Sequence, residues 1–387
     1  MQRRHFLQLS GAALPALWFG GALAAPATGT PRLLVVFLRG GYDCLNVLVP
    51  HASSDYYEAR PGIAIPKTDL MVLDDNWALH PALATTLTPL WSAGQLTFLP
   101  FAGTDDTSRS HFETQDNIEL GQPVDHPDAR SGFLARLAGV LAGPRAISFT
   151  DSLPVSYRGA DIPNISLKSV GKPAFDARQA QILADMYAHH PLGAQVREGL
   201  DLRQQVSMAM AEEMQQANRD AITPKGFELE AQRIGRLLRQ DYSIGFVDIG
   251  GWDTHVNENA VLATNLESLG RGLVSLSREL GTEWPNTVVV VVSEFGRTFK
   301  ENGSKGTDHG HGSTYWIAGG SIDGGKIAGR QQAVSRATLF QNRDLPVLNE
   351  YRALFAAITT GMWNLSAEQR DKVFPGPVDA RPDLRFV

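Results

Sequence analysis

Short apolar runs alternate with longer amphipathic stretches along this chain. Six of the runs are rich in β-branched or aromatic residues and lack strict two-residue alternation, which is typical of strands covered on both faces of a parallel sheet. These runs are Leu33–Leu38, Leu96–Phe101, Ala146–Phe149, Ile244–Ile249, Thr287–Val292 and Tyr315–Ala318. We therefore expect a mostly parallel sheet.

The stretches between these runs predict helices. The clearest has leucines at alternating spacings of four and three residues, which form one apolar face of a helix. They are Leu262, Leu266, Leu269, Leu273, Leu276 and Leu280. Other helices are predicted to begin at Thr223-Pro224, to follow Ser110 through Ile118 and to cover Tyr351–Thr360, the last as the one helix of the tail. Alternating strands and helices indicate an α/β fold with a doubly wound sheet flanked by helices.

Residues 175–220 differ from the rest of the chain because they are polar and helical in pattern and contain no strand signal. We interpret them as a helical insertion at an edge of the core. The remainder of residues 25–387 contains no internal repeat, so we expect a single α/β domain carrying this insertion.

The first residues have the features of an export signal. Arg3-Arg4 is followed by Phe6-Leu7, by an apolar stretch and by the small-residue pattern Ala22-Leu23-Ala24, which is typical of a twin-arginine signal cleaved after residue 24. The apolar stretch is about 15 residues, shorter than the roughly 20 that span a bilayer. We therefore expect no stable membrane anchor, export by the twin-arginine translocase in the folded state, and a periplasmic or secreted protein.

Charge and cysteine content narrow the possible partners. The net charge of -6 becomes more negative when residues 1–24, with two arginines and no acid, are removed. A mildly acidic surface argues against nucleic acid or anionic lipid as the main partner, since both require clustered basic residues. Cys44 is the single cysteine, so no internal disulfide stabilises the chain.

Residues that bind metals follow several predicted strands, where ligands of α/β sheets collect. They are Asp43, Asp253, His255, Glu294, Asp308, His309 and His311. Mixed nitrogen and oxygen ligands suit one or two divalent ions of zinc, manganese, magnesium or calcium. The alternative is a polar rim without metal, and Asp43 after two glycines also fits a simple turn.

A nucleophile is predicted at the start of the helix after the second strand. Ser110 is the first candidate and Ser108 the second, because helix N-termini favour an anion or alkoxide; a serine there also serves as a helix cap. Arg109 and Arg297 suit bidentate binding of phosphate or sulfate, or pairing with acids. We assign them to substrate binding together with Asn46 and His111.

Five motifs carry a resemblance to a known family. In chain order they are RGGYDCLNVLVP, SHFETQD, GGWDTH, SEFGRT and DHGHG. They resemble the bacterial secreted family known as domain of unknown function 1501, regarded as a distant relative of the alkaline phosphatase and sulfatase superfamily. The resemblance implies an alkaline-phosphatase-like α/β fold with a two-metal centre and a serine, threonine or cysteine nucleophile.

The resemblance also implies roles for individual residues. Asp43 matches the first metal aspartate, Asp253 and His255 resemble one metal pair, and His309 or His311 resembles the last metal histidine. Two departures reduce the match. Glu294-Phe295 stands where the superfamily has Asp-His, and the Asp253-x-His255 spacing is tighter than usual.

These features predict an exported metal-dependent hydrolase of phosphate or sulfate esters with a serine nucleophile. The substrate is a small molecule or a polymer carrying such an ester. Two alternatives stay open: a non-catalytic envelope protein that binds a partner or a glycan, and a single-metal phosphodiesterase or transferase acting on envelope polymers.

Overall fold

In a computed structural model of the protein, residues 29–125, 128–167, 177–201, 226–379, 381–384 and 386 are described. The predicted export signal at residues 1–24 lies outside them. The described strands are β1 (Arg32–Leu38), β2 (Leu48–Val49), β3 (Met71–Val72), β4 (Ala78–Leu79), β5 (Leu96–Gly103), β6 (Ala146–Phe149), β7 (Ile244–Ile249), β8 (Thr287–Val292), β9 (Ser313–Gly319) and β10 (Asn349–Glu350). All six predicted strands are therefore confirmed, and the two-residue strands were not predicted.

The described helices lie between these strands. They are α1 (Ser54–Ala59), α2 (Pro81–Ser92), α3 (His111–Leu120), α4 (Phe133–Leu141), α5 (Ala177–Met186), α6 (residues 193–201), α7 (Phe227–Gln240), α8 (Glu258–Leu280), α9 (Tyr351–Trp363) and α10 (Ala367–Val373). Within the described part of the chain, none of them has the length and apolar character needed to cross a membrane.

Seven strands form one sheet in the order β10-β5-β9-β8-β1-β7-β6. β1 is parallel to β7 and β8, and β6 and β10 also pair in parallel with their neighbours, whereas β9 is antiparallel to both β5 and β8. The predicted doubly wound, mostly parallel sheet is confirmed. A second, three-stranded antiparallel sheet has the order β2-β4-β3.

Both faces of the large sheet are buried, as β1 illustrates. Leu34, Val36 and Leu38 belong to the apolar core that includes α2, α7 and α8, while alternate residues such as Val35 and Phe37 belong to the core with α4 and α9. Residues of a strand point alternately to the two faces, so a strand with both faces covered has few polar positions. This is why the six runs are predominantly apolar, with Thr97, Ser148, Asp248 and Thr287 among the exceptions.

Three helical predictions need correction or completion. α7 is described from Phe227, with Gly226 as its N-cap at a φ of 101°, and the predicted start at Thr223-Pro224 lies outside the described residues. The tail has two helices, α9 and α10, and not one; Ser366 caps the second through a reciprocal capping box with Gln369. α5 and α6 are helices of the predicted insertion, and the rest of residues 175–220 lies outside the described residues.

Candidate metal centre

The candidate site lies at the edge of the sheet where β1, β5, β7 and β8 end. These four strands run in the same direction, so their carboxyl ends share one edge. Because β9 runs in the opposite direction, it begins at that edge, and the segment before it reaches the same place. Five segments that are distant in sequence therefore meet there, as expected for ligand sites of α/β sheets.

Two glycines permit the close approach of these segments. A Cβ on Gly40 would come within 2.5 Å of the backbone nitrogen of Asp253, and Gly40 has a φ of 128°. A Cβ on Gly310 would come within 2.5 Å of the backbone of Arg297. No other residue type fits such contacts, so the segments after β1, β7 and β8 and before β9 pack backbone against backbone.

Three side-chain atoms form a small triangle at the centre of the site. Nε2 of His255 lies 3.1 Å from Nε2 of His309 and 2.9 Å from Oδ1 of Asp253. Nε2 of His309 lies 3.4 Å from the same oxygen. The Asp253 and His255 side chains thus meet as their i, i+2 spacing predicted, and His309 joins them from the opposite segment.

His111 completes the cluster. It is the first residue of α3, and its Nε2 lies 3.5 Å from Oδ2 of Asp253. That Nε2 is buried and has no hydrogen-bond partner among the described residues. Ligand atoms of His111, Asp253 and His309 all lie within 4.8 Å of one another.

The three histidines have the same hydrogen-bond arrangement. Nδ1 of His111 lies 2.8 Å from Glu294 Oε1, Nδ1 of His255 lies 3.3 Å from Asp308 Oδ1, and Nδ1 of His309 lies 3.0 Å from the carbonyl oxygen of Arg109. Ionised carboxylates and carbonyls only accept hydrogen bonds. Each Nδ1 thus has an acceptor behind it, and each Nε2 is directed at the cluster. In the tautomer with the proton on Nδ1, a neutral ring offers the Nε2 lone pair to the cluster.

Arg297 lies directly beneath this cluster and is fully buried. Its guanidinium donates to Asp253 Oδ1 and, from Nη1, lies 3.4 Å from His255 Nε2. It also donates to backbone carbonyls of Gly40, Gly41, Trp252 and Thr307. Arg297 thus fixes three of the converging segments and provides a permanent positive charge beside Asp253.

Hydrogen bonds and burial set the protonation of these groups. Burial alone would raise the pKa of Asp253, but the hydrogen bond and charge of Arg297 lower it overall. Burial would likewise raise the pKa of Glu294, and hydrogen bonds from His111 and Gln115 lower it. The hydrogen bond to Glu294 raises the pKa of His111, whereas burial lowers the pKa of His309.

The donor set fits a divalent metal ion. Nε2 of His255 lies 3.1 Å from Nε2 of His309, a separation that suits two imidazole ligands of one ion as well as a hydrogen bond between the rings. Imidazole nitrogens with one carboxylate are ligands of zinc and similar ions, and carboxylates or carbonyls behind the rings orient such ligands. The orphaned Nε2 of His111 fits the same role. The sequence had assigned His111 to substrate binding.

Two predicted ligands contact the histidines from behind. Glu294 is fully buried, and its carboxylate accepts from His111, Gln115, Ser293 and the backbone of Gly40. Asp308 contacts Nδ1 of His255 and accepts from Asn302 at 3.2 Å. Both carboxylates therefore orient histidines and do not point into the cluster.

The structure does not bring Asp43 or Asn46 to the cluster. Both oxygens of Asp43 accept from the guanidinium of Arg60, one of them at 3.0 Å, and both residues are fully buried. Asn46 is buried as well, with its amide directed at Glu258, 3.2 Å away. Both side chains point into the interior and therefore do not reach the open side of the site.

His311 also lies apart from the cluster, with its ring 4.7 Å from that of Phe340. Ser108 donates to Asp106 at 3.1 Å. Ser110 is the N-cap of α3 and accepts from the backbone of Glu113 at 3.5 Å. Arg109 is paired with Asp344 and donates to Gln341. Arg109 and Ser110 directly precede His111 in the chain. Their predicted roles, in substrate binding and as the nucleophile, stay predictions.

Sequence reasoning missed several residues that shape the site. Arg60 and Glu258 were not singled out, although both are fully buried beneath the loops. Gln115, which holds Glu294 at 2.9 Å, and Asp106, which binds Ser108, Thr114 and Asn117, were missed as well. Gln115 could have been found from its place in the SHFETQD motif, whereas Arg60, Asp106 and Glu258 stand in polar stretches of sequence that gave no signal.

Solved structures similar to this chain include three of known superfamily or named activity. A protein in the alkaline phosphatase superfamily from Vibrio parahaemolyticus has 13% identity and a TM-score of 0.38, over 77% of this chain and 62% of that chain. A putative sulfatase from Bacteroides thetaiotaomicron has 12% identity and a TM-score of 0.40, over 92% of this chain and 75% of that chain. The soluble domain of lipooligosaccharide phosphoethanolamine transferase A from Neisseria meningitidis has 12% identity and a TM-score of 0.37, over 78% and 82%.

The chain thus spans less than two thirds of the first of these structures, and the activities in those names belong to those proteins. Among curated protein sequences, none matches this chain significantly. A family model described as "Protein of unknown function (DUF1501)" matches residues 30–374, which confirms the family that the five motifs predicted. The chain belongs to the DUF1501 family.

Proposed function

We propose that this protein is a metal-dependent hydrolase of phosphate or sulfate esters. The observation that carries the proposal is the convergence of three imidazole Nε2 atoms and one carboxylate, with an acceptor behind each Nδ1. The side chains of His255 and Asp253 are 40% and 44% exposed, so a substrate has access to the cluster from solvent.

A divalent ion held by His111, Asp253, His255 and His309 would supply positive charge against an ester oxyanion and lower the pKa of a nearby hydroxyl. The chain itself supplies orientation. Glu294 and Asp308 fix two of the rings, and Arg297 fixes Asp253 from below. Glu294 and Arg297 are themselves held by buried contacts, and Asp308 is held by the side chain of Asn302. Such support behind the ligands is how preorganised sites are built.

Ser110 is the proposed nucleophile. It directly precedes His111 and caps α3, so its hydroxyl lies at the positive end of the helix dipole. Its Oγ would attack the phosphorus or sulfur atom, the ester oxygen would leave with a proton from solvent, and water would then hydrolyse the covalent serine ester. Ser108 is the weaker candidate because its hydroxyl is used by Asp106.

We also propose that the protein acts outside the inner membrane after export through the twin-arginine pathway. Arg3-Arg4 and the Ala22-Leu23-Ala24 pattern support this. A centre built from five distant segments forms only in the folded chain, so a folded-state route suits it. Replacing Arg3 and Arg4 by lysine should leave the protein in the cytoplasm with residues 1–24 uncleaved, as cell fractionation and N-terminal mass analysis would detect.

The activity is tested on full-length protein expressed with its own N-terminal segment and loaded in turn with zinc, manganese, magnesium or calcium. We expect release of the aryl alcohol from an aryl phosphate or an aryl sulfate, and loss of release with a chelator. His309→Ala should be inactive, and Glu119→Gln, a change of a buried carboxylate away from the cluster, should be active. No turnover of either ester with any of the four ions contradicts the proposal.

The nucleophile is tested by comparing Ser110→Ala with Ser108→Ala. Ser110→Ala should lower kcat by several orders of magnitude, as removal of a nucleophile does, and cost about 1 kcal/mol of stability from the lost cap. Ser108→Ala should keep most of the activity. Mass analysis of quenched wild-type enzyme should find phosphate or sulfate on the peptide containing Ser110; the same mass on Ser108 would reverse the assignment.

A further inference from the structure

A second group of ionisable side chains lies beneath the metal centre and is closed to solvent. Asp43, Arg60 and Glu258 are each fully buried. Arg60 binds Asp43 and also donates to Asn46 Oδ1 at 3.0 Å. Glu258 accepts from Thr307 at 2.7 Å and from Thr254 at 3.3 Å. This group, which we call the buried triad, consists of Asp43, Arg60 and Glu258.

Arg60 occupies both carboxylate oxygens of Asp43. Its two terminal nitrogens bind these oxygens in a bidentate pair. The other donors of Arg60 bind Asn46 Oδ1 at 3.0 Å and the carbonyls of Thr298 and Phe299, both at 2.8 Å. Separating this buried pair would leave two charges without partners away from water, so Arg60 holds Asp43 in the ion pair.

The buried triad is electrically balanced by itself. The charge and hydrogen bonds of Arg60 lower the pKa of Asp43 despite its burial, so Asp43 is ionised. Burial, with the charge of Asp43 beside it, raises the pKa of Glu258 to about 9, which keeps that carboxyl neutral near pH 7. One negative and one positive charge remain, so the triad does not need a metal ion for balance.

The metal centre above it has a single point of convergence. Ligand atoms of His111, Asp253 and His309 lie within 4.8 Å of one another, and Nε2 of His255 lies 3.1 Å from Nε2 of His309. The four candidate ligands therefore surround one position. The guanidinium of Arg297 lies on the buried side of Asp253, and Asp43 is bound to Arg60.

We propose that this protein binds a single divalent ion, at His111, Asp253, His255 and His309, and that Arg60 keeps Asp43 out of coordination. The proposal rests on the metal centre of the proposed function and specifies it further. Arg60 and Arg297 then provide inside the fold the positive charge that a second ion would bring.

Metal stoichiometry tests this directly and does not depend on activity. Full-length protein expressed with its own N-terminal segment is stripped with a chelator, reloaded with excess zinc, desalted and analysed for metal per chain. We expect one zinc per chain in the wild type and none in His309→Ala. Two tightly bound ions in the wild type would overturn the single-ion proposal and leave the proposed hydrolase intact, whereas none would overturn both.

The Asp43→Asn variant tests whether the buried triad takes part in metal binding. We expect this variant to retain one zinc per chain with an affinity within about threefold of wild type, a difference under 1 kcal/mol. Loss of the zinc from folded Asp43→Asn, with a native circular dichroism spectrum, would make Asp43 a ligand and overturn the proposal. If the variant does not fold, an anomalous difference map of zinc-loaded wild-type crystals decides. A single peak among the three histidines supports the proposal, and a second peak at bonding distance from Asp43 overturns it.

Discussion

Each histidine of the metal centre is fixed by one acceptor at its Nδ1. The acceptors are two carboxylates and one backbone carbonyl, and they come from Glu294, Asp308 and Arg109. Arg109 has a φ of 55° and its side chain is held by Asp344, so even the carbonyl is placed by a specific side-chain contact. Single residues behind the ligands therefore control the geometry of the ligands.

Glu294→Gln tests this control. A glutamine in the same rotamer keeps the contacts with Gly40 and Gln115 in part but removes the charged acceptor of His111. Zinc affinity, measured by competition with a chelator, should fall about 10- to 100-fold, the usual effect of losing such an orienting carboxylate.

The matched control is Glu119→Gln, which changes a buried carboxylate that accepts from Ser156 and does not contact the candidate ligands. Its zinc affinity should equal that of the wild type. Equal affinities in Glu294→Gln and the wild type would show that Glu294 does not orient His111.

At the scale of elements, two helices deliver groups to the site from their first residue. α3 begins with His111 and α8 begins with Glu258. The leucine stripe of α8 is buried against α2 and α7 on one face of the sheet, which fixes the axis of α8. Because this packing fixes the whole helix, its first residue, Glu258, lies in the interior between Asp43 and the side chains of Thr254 and Thr307.

Burial of Glu258 predicts a specific pH dependence of stability. Its pKa is raised from 4.5 to about 9 in the folded chain, so the folded protein keeps a proton that the unfolded chain releases above 4.5. Stability from this group is therefore fully present below about pH 4.5 and decreases as the pH rises toward 9, with a slope of at most about 1.4 kcal/mol per pH unit.

Glu258→Gln should remove that dependence, because glutamine has the shape of the protonated acid and does not titrate. Urea unfolding at pH 5.5, 7 and 8.5 measures it, with Glu267→Gln on the exposed face of α8 as the control. The curve of stability against pH should be flatter in Glu258→Gln than in the wild type and the control. Parallel curves would mean that Glu258 is ionised in the folded protein.

At the scale of the whole molecule, the candidate ligands come from three parts of the chain that meet only in the native sheet. These parts are the start of α3, the segment after β7 and the segment before β9. An ion bound by such ligands binds the folded chain and not the unfolded one. Metal binding is therefore coupled to the global stability of the protein.

Zinc at 100 times its dissociation constant should raise the free energy of unfolding by about 2.7 kcal/mol. For a chain of this size the melting temperature should rise by roughly 5 °C, as differential scanning calorimetry would measure. His309→Ala should show no such rise at the same zinc concentration. An equal rise in both proteins would place the stabilising zinc elsewhere on the chain.

The fold was predictable where packing imposes a clear pattern. A strand with both faces covered is mostly apolar, so β1, β7 and β8 were identified nearly to their ends. The two-residue strands and α10 were missed because segments this short show no periodic pattern. The predicted helix start at Thr223-Pro224 lies outside the described residues, and α7 is described from Phe227.

The sequence by itself determined which chemistry is available and at which edge of the sheet. A glycine-bounded histidine pair, an aspartate and histidine two residues apart, and an acid after five valines all lie beyond strand ends, since backbone connectivity places them there. Family membership, carried by the same motifs, was likewise readable from the chain alone.

Only the tertiary structure decided which of these residues meet. His309 lies in the cluster and His311 does not; His111 joins as a candidate ligand, while Asp43 pairs with Arg60. The direction of a loop side chain depends on distant partners, such as Glu294, which is 183 positions from His111. Even the Asp43–Arg60 pair, 17 positions apart, forms only when the two segments are packed together. No local sequence pattern encodes these contacts, because the two interacting side chains stabilise each other only when the packed sheet removes them from water.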